Sequence, residues 1–334
     1  MGNFEPMQQR LSQRVFSIAS TKEFEALALE VFSYQFENNS VYQTYCKHLG
    51  KSSNNVDSLA AIPFLPIQFF KSHKVVSNTK LPQVIFESSG TTKTHTSKHY
   101  VTDLEVYQKS FIQAFELFYG PIDSYCILAL LPSYLERDGS SLVYMVNDLV
   151  KRSKHPSSGF YLYDLGQLKQ KLHELETSET KTLLIGVSFA LLDLAEDFQM
   201  NLKHTTIMET GGMKGRRKEL IRAELHQILR KGLGVENIHS EYGMTELLSQ
   251  AYSKGNGVFN CPPWMKIVTR DTEDPLTLQS FGKTGGLNII DLANINSCSF
   301  IATQDLGKCY SDGSFEVIGR FDHSDVRGCN LMAL

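Results

Sequence analysis

No two of the six cysteines form a CxxC pair, and most of them sit in apolar runs. Neither a disulfide framework nor a zinc ligand set is offered, and a reducing compartment is expected. An excess of one charge is also missing. Lys and Arg number 33 against 36 Asp and Glu, a formal net charge of −3. A balanced chain carries no electrostatic footprint for polyanions or anionic lipid, so no nucleic-acid partner is expected. Apolar runs such as Cys126 to Leu131 are far too short to span a bilayer. The N-terminus lacks the apolar stretch of a signal peptide, and Pro6 stands where a myristoylation signal wants Ser or Thr. A cytoplasmic location is expected. Internal repeats and low-complexity tracts are lacking too.

What remains is an ordinary globular composition, 42% hydrophobic and 21% charged over 334 residues. That length corresponds to roughly two domains. Residues 1–80 read as helical and are expected to pack on the main domain. Ser20 and Glu23 form a capping box, with Phe24, Leu27, Val31 and Phe32 at helical spacing behind it. Prolines 63 and 66 keep the apolar stretch between them out of helix. Over 81–256 strands and helices alternate. Strands are expected at Val84 to Phe86, Cys126 to Leu131, Thr182 to Val187 and His204 to Glu209. Helices are expected from Thr102 to Gly120, from Ser141 to Val150, from Phe189 and from Lys218 to Leu229. Such alternation argues an α/β fold with a mostly parallel, covered sheet. Over 257–334 short β candidates follow one another: Met265 to Thr269, Gly286 to Ile290, Ser299 to Thr303 and Phe315 to Ile318. They describe a smaller, β-rich, antiparallel or barrel-like subdomain.

Five short motifs carry possible chemistry. Ser88, Ser89, Gly90, Thr91, Thr92 and Lys93 follow a strand candidate. Hydroxyls, a glycine backbone and a lysine suit a phosphate cradle, although the P-loop spacing is absent. Glu209-Thr210-Gly211-Gly212 follows another strand, and paired glycines let a flat ligand approach the backbone. Glu241 to Glu246 brings together Tyr242, Gly243, Met244, Thr245 and Glu246. The tyrosine can stack on a base, the threonine can bond a phosphate, and Glu246 can hold Mg²⁺ against phosphate oxygens. Asp305 is expected at a strand end, where it can grip two ribose hydroxyls. Arg320, one hairpin later, can pair with ribose or phosphate. Each motif alone is equally a polar turn or a surface ion pair. His95, His99, Lys93 and Lys98 read as solvated charge, as do Lys214 to Lys218.

Taken in order, the five motifs resemble the adenylate-forming superfamily, whose members join a carboxylate to AMP. Over almost the whole chain the sequence resembles the long-chain acyl-protein synthetases (LuxE-like) within it. The segments that carry this are Ile62 to Lys71, Leu131 to Val146, Glu209 to Arg217, Cys261 to Trp264, Gly285 to Asn294 and Arg327 to Met332. The resemblance implies an adenylate-forming large-domain fold and a ligase using ATP and Mg²⁺. It assigns ATP phosphates to the Ser/Thr/Gly loop, and adenine, phosphate and Mg²⁺ to the Gly pair and the Tyr242 to Glu246 segment. Ribose goes to Asp305, and Gly319 to Asp322 leads to a hinge. Lys93 departs from the glycine usual there. The chain stops at Leu334, shortly past the hinge position. A C-terminal lid with its catalytic lysine is therefore expected to be absent, as in the acyl-protein synthetases. Those enzymes take the acyl group on a cysteine near the C-terminus, and Cys329 occupies that place. Gly328 would give such a thiol mobility, and Arg327 would favour its thiolate. The implied partners are a fatty acid and an acyl acceptor: a reductase, a carrier protein or CoA.

Two other readings stay open. Gly186 to Ala190 approximates a nucleophile elbow around Ser188, with Asp305 and His323 later in hydrolase order. That would be an ATP-independent serine acyltransferase or hydrolase. The missing lid lysine also leaves room for a non-enzymatic nucleotide-binding protein.

Overall fold

A computed structural model describes residues 7–88, 96–131, 139–162, 164–211 and 220–321. The chain begins with α1 (Met7–Val15), α2 (Thr21–Asn38), α3 (Ser40–His48), β1 (Leu65–Pro66), α4 (Phe69–Ser72), β2 (Val84–Glu87), β3 (Lys98–Val101) and α5 (Leu104–Tyr119). It continues through β4 (Cys126–Leu130), α6 (Ser141–Ser153), β5 (Gly159–Phe160), α7 (Leu165–Thr177), β6 (Thr182–Val187), α8 (Ser188–Asp197), β7 (Thr205–Thr210), α9 (Arg222–Leu233) and β8 (Ile238–Tyr242). The remaining strands are β9 (Ala251–Ser253), β10 (Val258–Phe259), β11 (Met265–Arg270), β12 (Thr284–Asp291), β13 (Phe300–Cys309) and β14 (Phe315–Arg320).

The described residues fall into two compact units. One comprises those within 1–110, 245–249 and 261–334; the other comprises those within 111–244 and 250–260. These borders differ from the segments 1–80, 81–256 and 257–334 read from the sequence. The N-terminal helices and the late strands share a unit because polar side chains tie them together. The Gln35 amide in α2 donates to the Asn294 and Ile295 carbonyls at 3.1 and 3.0 Å, and accepts from the Ser299 N–H at 2.9 Å.

In this first unit β14, β13, β12 and β11 form an antiparallel array in that order, with β1 parallel to β13. The strand β1 sits in the stretch that its prolines keep out of helix, pairing Leu65 with Ile301 and Pro66 with Ala302. Phe32, Tyr42, Phe64 and Phe300 form an aromatic core, Tyr42 stacking on Phe300 at 6.0 Å. The capping box of α2 forms with one change. Ser20 accepts from the Glu23 N–H at 3.2 Å, but the Glu23 carboxylate reaches back to the Ala19 N–H at 2.8 Å. Strands β2 and β3 make an antiparallel hairpin, Val84 facing Val101 and Glu87 facing Lys98.

The second unit holds a sheet of order β5-β4-β6-β7-β8-β9, parallel except for β9. Every residue of β4 and β6 is buried. Both faces are therefore covered, which is why these strands read as unbroken apolar runs rather than alternating ones. The α/β class with a mostly parallel covered sheet and a β-rich C-terminal part is thus present. Helix α9 starts at Arg222 and ends at Leu233, later than Lys218 to Leu229. Its stop is Gly234, whose φ of 68° gives a left-handed cap. Strand β13 runs six residues beyond Thr303, because its inward face alternates with polar positions and hides the strand in composition. Among the described residues no helix is long and apolar enough to cross a membrane.

Helices α8 and α9 approach closely at Gly232, where an added Cβ would collide with the Ala195 carbonyl and lie 2.8 Å from the Ala195 Cβ. Gly232→Ala is expected to destabilise the protein by about 1–3 kcal/mol through overpacking. Gly159→Ala, at a glycine with open space around it, is expected to change stability by less than about 0.5 kcal/mol. Urea denaturation of both variants checks the pair, and equal effects would remove the close approach as the cause.

Candidate active site

In the first unit four separated segments meet around Glu246. Glu246 is 6% exposed. Burial pushes its pKa up, opposed by a hydrogen bond from Ser97 and by the charges of Arg320 and Lys71. Ser97 in turn closes the base of the β2–β3 hairpin: its N–H donates to the Ser88 Oγ at 2.9 Å, and the Ser88 N–H donates to its carbonyl at 3.0 Å. Ser88 therefore stands at the mouth of the hairpin loop. Ser89, Gly90, Thr91, Thr92, Lys93 and His95 lie outside the described residues.

Thr245 and Glu246 form a turn held from beneath by β3 and by the segment after β12. His99 lies on β3, 1% exposed, with its ring edge against Phe70 at 5.8 Å. It is thus a buried side chain and not the solvated charge expected from its basic neighbours; Lys98 is the exposed one, paired with Glu87 at 3.3 Å. The His99 Nδ1 is 2.8 Å from the Thr245 carbonyl and its Nε2 is 3.0 Å from the Asn294 Oδ1. A carbonyl only accepts, so Nδ1 carries a proton. The Asn294 Nδ2 donates to the Glu246 carbonyl at 2.8 Å, which turns its Oδ1 toward the ring. Burial pushes the His99 pKa down to about 4, against the two hydrogen bonds, which raise it. Asp291 completes the support. It accepts from the N–H groups of Leu248, Ser249 and Ala293 at 2.8, 3.0 and 3.2 Å, and from the Ser249 hydroxyl at 2.6 Å.

Asp305 is not at a strand end. It lies in the middle of β13, opposite Arg320 of β14, because the strand continues to Cys309. The Arg320 Nε is 3.3 Å from its carboxylate; the aspartate is buried and the arginine is 72% exposed.

The second unit supplies the ends of β7 and β8. Glu209 and Thr210 are the last residues of β7, and Glu241 and Tyr242 the last of β8, so both pairs belong to strands and not to the turns after them. Gly211 follows with φ 66°, a conformation that needs glycine; Gly212 lies outside the described residues. Burial works to raise the Glu209 pKa, but the His226 hydrogen bond and the Arg222 charge outweigh it and hold the group below its ordinary value. Glu241, which faces Thr210 across the β7–β8 ladder, accepts from the Thr210 hydroxyl at 2.5 Å. Desolvation, aided by the Glu209 charge, pushes its pKa up to about 7 against that bond. Tyr242 is buried with its ring 5.8 Å from Phe259. Gly243 leaves room for the Glu241 carboxyl, whose oxygen would lie 2.5 Å from an added Cβ. Met244 is half-buried.

Ser188 opens α8 directly after β6, as an elbow would require. The residue is nevertheless buried, 2% exposed, its hydroxyl donating to the Gly211 carbonyl at 3.0 Å and toward Glu209 at 3.4 Å. The described contacts of Asp305 place it against Arg320. No described imidazole reaches the Ser188 hydroxyl among the hydrogen bonds found, and His323 lies outside the described residues. Cys329 also lies outside them. Among the described residues no three or more of His, Cys, Asp and Glu gather to hold a metal ion.

His99, Ser97, Asp291 and Asn294 are the residues that motif reasoning missed. The one available signal was the Gly285 to Asn294 segment, whose Asp and Asn lie three residues apart.

The family described as acyl-protein synthetase, LuxE, matches residues 16–333. The chain belongs to the acyl-protein synthetase (LuxE) family. No curated protein matches its sequence. Among solved structures it is similar to a 2-hydroxyisobutyryl-CoA ligase in complex with 2-HIB-AMP and CoA. The TM-score is 0.66 at 12% identity, over 93% of this chain and 71% of that one. It is also similar to ATP-bound MatB from Rhodopseudomonas palustris. There the TM-score is 0.51 at 16% identity, over 71% of this chain and 47% of that one. The chain thus shares the fold of these larger ligases while spanning about half the length of MatB.

The Glu241 shift sets a pH dependence. A carboxyl raised from 4.5 to about 7 binds its proton more tightly in the folded state. Its contribution is present below pH 4.5 and is lost as pH rises through 7. Glu241→Gln keeps an acceptor for Thr210 and removes the titration. Relative to wild type, the variant is expected to gain stability from pH 4.5 to 7, reaching about 3 kcal/mol above it. His99 and His239, both held down to about 4, titrate alike in both proteins and cancel in the difference. Denaturant titrations at pH 5, 6, 7 and 8 measure it; a difference flat with pH would show that Glu241 titrates normally.

Proposed function

We propose that this acyl-protein synthetase activates a fatty acid with ATP and then carries the acyl group on a thiol. In the first step a carboxylate oxygen attacks the α-phosphorus of ATP, the bond to the β-phosphate oxygen breaks, and pyrophosphate leaves. In the second, a thiolate attacks the acyl-adenylate carbonyl and AMP departs, giving a thioester. The observation that carries the reading is the convergence in the first unit. The base of the Ser88–Ser97 hairpin, the Glu246 carboxyl and the Asp305–Arg320 pair come from four distant stretches of sequence and meet through hydrogen bonds and charge. This is the set of groups that a nucleoside triphosphate needs: hydroxyl and backbone donors, a carboxylate for a cation, a cation for phosphate, and an acceptor for ribose. Family membership supports the reaction class, and the ATP and acyl-AMP named for the similar ligases fit it.

The residues fit Mg²⁺ as well. Glu246 is a buried carboxylate whose charge burial disfavours, and a cation at its oxygens would relieve that. A hard cation held by one carboxylate and the substrate's own phosphates is the usual arrangement for Mg²⁺, which needs no all-protein cage. When bound, the ion supplies positive charge at the departing pyrophosphate. The chain's own residues do the rest. Arg320 and the hairpin donors offset charge building on the phosphates. Asp305 fixes the sugar and so the direction of attack. Cys329 is proposed as the thiol, with Arg327 favouring its thiolate. The final acceptor is proposed to be a partner protein or CoA.

Pyrophosphate exchange across a panel of carboxylic acids tests the reading. Exchange should require a carboxylate, ATP and Mg²⁺. Glu246→Gln is expected to lose it while staying folded. Asp305→Ala should weaken ATP binding by about 1–3 kcal/mol, the scale of a lost charge-assisted hydrogen bond. Cys329→Ala should keep exchange but lose a hydroxylamine-labile acyl label. Exchange without any acid requirement would sink the proposal, and a label on Ser188 would move the acyl carrier there.

A further inference from the structure

The two peptide carbonyls that flank the Glu246 Cα are both tied down from the same side. The Thr245 carbonyl takes the His99 Nδ1–H at 2.8 Å, and the Glu246 carbonyl takes the Asn294 Nδ2–H at 2.8 Å. His99 and Asn294 are themselves in contact at 3.0 Å. Fixing both peptide planes fixes φ and ψ between them, and with them the Cα–Cβ direction along which the carboxylate leaves the backbone. His99 belongs to β3, the strand that returns from the 88–97 loop. The same loop end sends Ser97 to the Glu246 carboxyl and to Ser88. A hairpin and a turn far apart in sequence are therefore joined at two heights, by the Ser97 hydroxyl above and the imidazole below.

We infer that His99 is a positioning residue, a strut that through the Thr245 carbonyl, alongside the Asn294 amide, holds the Glu246 carboxylate in fixed register with the Ser88–Ser97 base of the β2–β3 hairpin. This rests on the proposed function for its consequence, since the register matters only if that hairpin base and that carboxylate act on one substrate. It does not rest on it for its geometry. The ring touches neither carboxyl nor loop directly, so its effect is on where the carboxylate points. Both of its nitrogens face acceptors. The neutral ring holds Thr245 alone, and the contact to Asn294 is fully satisfied only by a group with two N–H donors.

The test uses the full chain. His99→Phe keeps a ring against Phe70 and removes the hydrogen bond to the Thr245 carbonyl. His99→Gln restores an N–H donor for that carbonyl. His99→Phe is expected to melt within a few degrees of wild type. It should lower kcat for pyrophosphate exchange about 10²-fold, the scale for a misplaced catalytic group. It should also raise the Mg²⁺ concentration for half-maximal rate about tenfold and leave the KM of the carboxylic acid unchanged. His99→Gln is expected to recover most of the kcat. A folded His99→Phe with wild-type kcat and Mg²⁺ dependence overturns the inference, as does a loss shared equally with the carboxylic acid KM. If His99→Phe does not fold, the wild-type protein decides. Nitrogen-15 shifts of the His99 ring at pH 7 should show the Nδ1–H form, and an Nε2–H form overturns the strut. Wild type without exchange would defeat the proposed function and leave this ring measurement to judge the strut alone.

Discussion

Asp291 is the constraint on which the first unit's site depends. It is fully buried at the end of β12, and burial raises its pKa. Four donors answer that cost: three backbone N–H groups and the Ser249 hydroxyl. Two of the N–H groups belong to Leu248 and Ser249, just after the turn that carries Glu246. The Trp264 indole N–H reaches the hydroxyls of Ser110 and Ser249 at 3.1 and 3.0 Å, closing the network from the other side. A buried carboxylate with satisfied oxygens rigidifies what it touches, since breaking any one bond leaves a desolvated polar group behind. The turn is therefore a fixed platform, anchored by Asp291 on one side and by Asn294 and His99 on the other.

The buried carboxylates of the protein divide by how their charge is answered. Asp305 has Arg320, and Glu209 has Arg222 and His226, so each has a cation within about hydrogen-bonding reach. Glu246 and Glu241 have hydroxyl donors, Ser97 and Thr210, and burial dominates both. The first kind is internally balanced and suited to fixed recognition. The second kind is poised to gain from an added positive charge or a proton.

Much of the scaffold was legible in the sequence because it is written in local terms. Unbroken apolar runs at Cys126 and Thr182 become strands covered on both faces, Ser20 caps α2, and Gly120 ends α5. The order of five motifs pointed to the family that residues 16–333 match. Errors came where a pattern was mixed. In β13 the buried positions alternate with Gln304, Leu306 and Lys308, so the strand read as ending at Thr303 and Asp305 read as its tip. In β1, prolines that exclude helix gave no hint of a parallel partner 236 residues away, Leu65 beside Ile301.

The amino-acid sequence by itself determined the class of fold and the kinds of group available at the site, since periodicity, capping and motif order depend on near neighbours. Only the tertiary structure decided what those groups do electrically. His99 stands between Lys98 and Tyr100 and looks like surface charge in one dimension. It becomes a buried strut because Asn294, 195 residues away, and the Thr245 carbonyl, 146 residues away, close on its two nitrogens. Ser188 looks like an exposed nucleophile in its elbow and becomes a buried donor to Gly211. Burial and hydrogen-bond partnership are properties of space around a side chain, and a chain brings distant residues into that space only when it folds.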